Sequence, residues 1–115
     1  MCIRDRIKPI VAGKEYRVSY QADFASGGTT LLVVLWIPKQ GASVPGSEER
    51  EIAPGRGGTI SGTVPSFDAA RRIEIRVDLP DGTGSGMLEL SHDGKPHKSE
   101  RITSDTTWTA IVVPR

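Results

Sequence analysis

The sequence predicts an all-β protein: a two-sheet antiparallel β-sandwich of about seven to nine strands, jelly-roll or immunoglobulin-like in topology. Three observations carry this. Residues 16–24 alternate strictly, with Tyr16, Val18, Tyr20, Ala22 and Phe24 against Arg17, Ser19, Gln21 and Asp23, the period of a strand with one buried face. Turn signals recur about every eight to twelve residues, supplied by 13 glycines and 8 prolines spread along the chain. No amphipathic helical period of useful length interrupts them.

The elements follow in order. Residues 7–11 form a short run broken by Pro9, which suits an edge strand. The Ala12-Gly13-Lys14 turn leads into the alternating strand, and Ser26-Gly27-Gly28 turns the chain again. Residues 29–37 are β-branched and apolar on both faces, as a central strand requires, and Pro38 ends them. Residues 39–58 read as the long loop of the domain, with room for one short strand near 51–53. A strand at 59–64 precedes a helical turn at 65–70 capped by Ser66. Residues 71–79 alternate again, with Ile73, Ile75, Val77 and Leu79 on one side. A turn at 80–86, a strand at 87–90 and a hairpin at His92-Asp93-Gly94-Lys95 follow, the Asp-Gly pair suiting positive φ. Residues 95–102 are polar and belong at an edge, where charges deter stray pairing. Residues 106–113 are β-branched and close at Pro114.

With 115 residues the chain is sized for one domain with a modest core. Its 15 basic and 14 acidic side chains leave a net charge of +1, which provides no electrostatic attraction for nucleic acid or anionic lipid. The longest apolar run, LLVVLWI at 31–37, is far shorter than the ~20 residues of a spanning helix. Membrane insertion and nucleic-acid binding are therefore not expected.

The hexapeptide MCIRDR, residues 1–6, differs from the rest. It holds the sole cysteine, Cys2, and two arginines around an aspartate, without apolar period. Its back-translation matches the end of a transposase-type sequencing adapter, so residues 1–6 are expected to be a non-native remnant and residues 7–115 a single sandwich domain. Without Arg4, Asp5 and Arg6, basic and acidic counts fall to 13 each and the net charge to zero. No secretory signal is visible, yet an extracellular or periplasmic setting is favoured for a cysteine-poor sandwich of this kind.

Candidate chemistry is sparse. The glycine run at 82–86 precedes a strand, not the helix a phosphate loop needs, and reads as a hairpin tip. His92, Asp93 and His97 offer too few converging ligands for zinc, and Asp78 with Asp81 too few oxygens for calcium. Ser91-His92-Asp93 contains the letters of a hydrolase relay, but neighbours on a strand point to opposite faces. No enzyme, metal or cofactor is expected. Of the six aromatic residues, Tyr16, Tyr20 and Phe24 share the inward face of their strand, and Phe67 sits in the helical turn. Trp108 and Trp36 remain the candidate ligand-binding residues. Trp108 lies in a strand where either alternating set could face inward, and a ring between threonines would make a sugar-stacking platform.

The stretch Gly13-Lys14-Glu15-Tyr16-Arg17-Val18-Ser19-Tyr20 resembles the opening core strand of jelly-roll carbohydrate-binding modules. That resemblance implies a sandwich fold. The expected function is a non-catalytic accessory module of a larger exported bacterial protein, binding carbohydrate or cell-surface material. The alternative is a structural spacer or protein-interaction domain of the immunoglobulin or fibronectin kind, with no small ligand. The expected partner is accordingly a polysaccharide or a protein.

Overall fold

The computed structural model describes residues 4–23, 29–38, 48–79 and 84–114. Cys2, Phe24, the turn at 26–28, the first part of the long loop and residues 80–83 lie outside them, so the calcium pair and the glycine run are described only in part.

The predicted β-sandwich is formed, and no helix occurs among the described residues. The described residues form ten strands: β1 (Arg4–Arg6), β2 (Ile10–Val11), β3 (Glu15–Ala22), β4 (Thr30–Pro38), β5 (Glu48–Ile52), β6 (Gly57–Thr63), β7 (Ala70–Asp78), β8 (Gly86–His92), β9 (Lys95–Ile102) and β10 (Thr106–Val113). One sheet has the order β1-β10-β7-β4-β5, with β2 also on β10; the other has the order β6-β3-β8-β9. The run β10-β7-β4-β5 and the pairing of β3 with β6 follow the G-F-C-C′ and B-E order of immunoglobulin-type sandwiches. The β8–β9 hairpin takes the flank of β3 that a first strand would hold there. Every pairing is antiparallel except those of β1 and β2, which run parallel to β10.

The alternating segments became the strands that build the core. β3 buries Tyr16, Val18, Tyr20 and Ala22 and turns Glu15, Arg17 and Gln21 outward. β7 buries Ile73, Ile75 and Val77 against Leu32, Val34 and Trp36 of β4. Trp36 meets Tyr16 edge to face, with ring centroids 5.3 Å apart and planes at 78°, which locks the two sheets together at that point. Ser66 closes a single turn through its carbonyl to the Ala69 and Ala70 amides, and its hydroxyl caps Ala69. The hairpin at Asp93-Gly94 has φ of 55° and 77°, the left-handed pair that a two-residue turn needs and that Asp-Gly tolerates.

β9 lies at an edge, as its polarity predicts. Lys98 and Glu100 point toward the interior side of that edge, where Lys98 Nζ sits 5.4 Å from the Trp108 ring centroid. Inward charges at an edge strand discourage addition of another chain. Asp105 accepts the Leu79 amide at 2.8 Å and so ties the end of β7 to the start of β10.

Residues 7–12 fasten to β10 along their length. The Ile7 amide donates to Thr109 O at 2.8 Å, Ile10 and Val11 pair with Val112 and Val113, and the Ala12 amide donates to Val113 O at 2.9 Å. The same segment is held from the other sheet. The Val11 amide donates to His92 Nε2 at 3.0 Å, and His97 Nε2 donates to Lys8 O at 2.8 Å. His92 is therefore an acceptor and needs a neutral Nε2.

Burial lowers the His92 pKa below its ordinary value, and the neighbouring His97 ring, 5.4 Å away, lowers it further. The folded state thus favours the neutral ring, and the unfolded chain binds the proton first. Stability is present above the ordinary histidine value of about 6.5 and is lost as pH falls through the folded value. The melting temperature is expected to drop between about pH 7 and pH 5, and His92→Gln, which can still accept from Val11, flattens that slope. An unchanged slope in the variant would assign the loss to other groups.

Candidate functional site

Both tryptophans proposed as ligand platforms are inside. Trp108 is 0% exposed and Trp36 is 2% exposed. The register decides the ambiguity that the β10 sequence left open. Trp108 pairs with Ile75 and Ala110 with Ile73, two core residues, so Trp108, Ala110 and Val112 face inward and Thr107, Thr109 and Ile111 face outward. Neither ring presents a face to solvent. Tyr16 and Tyr20 are also buried, and burial raises both phenol pKa values. Phe67 is half-buried beneath the Arg71 guanidinium, 3.9 Å from its ring centroid.

What faces solvent on the four-stranded sheet is a polar trough, not an aromatic platform. Its rows come from cross-strand register. Arg17 lies between Ser61 on β6 and Ser91 on β8, while Ser19 lies between Thr59 and Glu89, with Ser99 beyond on β9. Two open clefts occupy this face. One, of about 420 Å³, is lined by Glu15, Arg17, Ser61, Thr63 and Ser91 among others. The second, of about 310 Å³, is lined by Ser19, Gln21, Thr59, Met87, Glu89 and Ser99 together with backbone of Gly57 and Gly58. Hydroxyls dominate, with two carboxylates, one guanidinium and one amide. Such a surface can exchange hydrogen bonds with a polar ligand; Tyr16 borders the first cleft and Tyr20 the second, both largely buried.

Ser91 and His92 do not converge into a catalytic relay. Ser91 lines the outer trough, while His92 points to the opposite side and accepts from Val11. Each histidine spends a ring nitrogen on the residue 7–12 segment, and no group of three His, Cys, Asp or Glu side chains that could hold a metal occurs among the described residues. No helix among the described residues is long and apolar enough to cross a membrane.

The other outward face was not singled out from sequence. β4 turns Leu31, Val33, Leu35 and Ile37 outward, all half-buried, beside Asp78, Arg76, Glu74 and Arg72 of β7. Residues 29–37 are apolar on both faces because the strand is interior to its sheet, yet only one of its faces meets the core. Comparison with family models, with curated proteins and with solved structures found no match for this chain.

Proposed function

We propose that the chain is a non-catalytic structural and protein-interaction module of immunoglobulin-like kind. The observation that carries this reading is where the aromatic side chains go. Tyr16, Tyr20, Trp36 and Trp108 are all committed to the core, so none of these four rings is left as a stacking platform for sugar. The outward face of the six-stranded sheet supplies instead a row of aliphatic side chains on β4, apolar surface of the kind that other protein covers.

Polysaccharide binding is the second reading, and the hydroxyl-lined trough around Arg17 is what favours it. Ligand-induced stabilisation separates the two. A bound ligand at about 100 times its Kd adds about 2.7 kcal/mol, a shift of several degrees in melting temperature. Under the module reading, oligosaccharides at about 10 mM leave the melting curve unchanged. A rise that Arg17→Ala abolishes would replace that reading with the second.

A further inference from the structure

We infer that the outward face of the six-stranded sheet pairs with the same face of a second copy of this chain, through a two-fold axis crossing the strands at Val34 and Ile75. This names the partner of the module proposed above and rests on that reading.

β4 carries a four-residue aliphatic stripe on its outward side. Leu31, Val33, Leu35 and Ile37 stand on the solvent side of β4 at the spacing of one strand face, and none is fully covered. A continuous stripe of this kind on an outward sheet face marks an interaction surface. Beside it, β7 carries the alternating ladder Arg72, Glu74, Arg76, Asp78, in which Glu74 is 8% exposed and pairs with Arg72 of its own chain at 3.3 Å. Among the described residues Arg76 and Asp78 make no ion pair, and the Nε atoms of Arg72 and Arg76 have no hydrogen-bond partner.

The order of these side chains is what selects the occupant. Val34 and Ile75 are register partners, so they define one line across the sheet. On β4, Val33 and Leu35 lie one residue either side of that line, and Leu31 and Ile37 three residues either side. On β7, Glu74 and Arg76 lie one residue either side, and Arg72 and Asp78 three. A two-fold axis along the line, in the plane of contact, stacks each strand on its own copy running the opposite way. Val33 then meets Leu35 of the other copy and Leu31 meets Ile37. Glu74 meets Arg76 and Arg72 meets Asp78. On β4 and β7 every rung joins opposite charges or two aliphatic groups, and each contact occurs twice, as an isologous interface requires; Thr107 and Thr109 of β10 pair beside them, and Glu49 and Glu51 of β5 border the stripe. Face-to-face sheets pack with strands within about 30° of alignment, which permits this stacking.

The contact is small. Four rows at strand spacing and four strands abreast cover roughly 20 Å by 20 Å, about 400 Å² per partner. That is the low end for specific interfaces, so the dimer is weak and needs high concentration.

Sedimentation equilibrium on the full chain, from about 10 µM to about 1 mM, is the test. The wild type is expected to move from 12.4 kDa toward twice that mass. Arg76→Glu places a carboxylate against Glu74 of the other copy, twice over, and Glu74→Arg places a guanidinium against Arg76 in the same way. Like charges so placed weaken association by about a hundredfold or more, so each variant alone sediments as a monomer. Mixed in equal amounts, the two restore every opposite-charge rung, and the dimer returns as a heterodimer. If Glu74→Arg does not fold, Arg72→Asp with Asp78→Arg repeats the test on the outer rungs. A wild type that stays monomeric at the highest concentration overturns the pairing, as do a dimer that survives both charge changes or a mixture that fails to associate. The pairing and the module reading fail separately: a sugar-dependent melting shift removes the second without altering the sedimentation result.

Discussion

Trp108→Ala is expected to destabilise the fold by about 3–5 kcal/mol, the range for emptying a buried tryptophan site, and to lower the melting temperature by more than about 10 °C. The ring is fully buried, its strand neighbour across the sheet is Ile75, and Lys98 closes over it from the β9 edge. Its removal takes contact from both sheets, so the cavity cannot collapse around one flexible wall. The indole N–H is buried and has no partner among the described residues. Trp108→Phe therefore removes an unmatched donor along with part of the ring, and is expected to cost about 1–2 kcal/mol, well below the alanine value. Urea unfolding of the three proteins checks the order. A solvent-facing platform would behave differently, since surface substitutions fall within about 0.5 kcal/mol of zero. An alanine variant as stable as wild type would put the ring back outside.

Gly86→Ala is the second large effect, about 3 kcal/mol, and it arises from addition of an atom. Gly86 opens β8 opposite Ala22. A Cβ there would lie 2.3 Å from the Gln21 carbonyl oxygen and 2.4 Å from both Cζ and Oη of Tyr20. The Gln21 oxygen is backbone and Tyr20 is 1% exposed, so neither can move aside without opening the β3–β8 ladder or shifting the core. The local consequence is testable as well as the global one. Amide exchange at residues 20–22 and 86–88 should speed up more than exchange in the six-stranded sheet. A melting curve equal to wild type would mean that the close approach relaxes at no cost.

Much of the fold was legible because local periods and turn chemistry coincide. The alternation in β3, the Asp-Gly hairpin and the polar edge strand β9 needed only near neighbours in sequence. Trp108 was not legible because both alternating sets on β10 are plausible interiors, and only pairing with Ile75, more than thirty positions earlier, chooses between them. The parallel attachment of residues 4–11 to β10 leaves no local mark at all, since its partners stand about a hundred residues away. The polar trough was hidden for a related reason. Its rows are assembled from β3, β6 and β8, and one-dimensional spacing does not disclose cross-strand register. The aliphatic stripe was visible as residues but not as a surface, because a strand apolar on both faces reads as interior whichever face is covered.

The parallel run of residues 7–12 beside β10 has a mechanical consequence. Tension applied along the backbone, drawing the chain before β2 away from the chain after β10, pulls these two parallel segments in opposite senses past each other. Their hydrogen bonds lie across the strands and are then strained together in shear. The β8–β9 hairpin, pulled at its two ends, would instead open one pair at a time. The sandwich is thus strung so that a stretching load meets its first resistance as a clamp and not as a zipper.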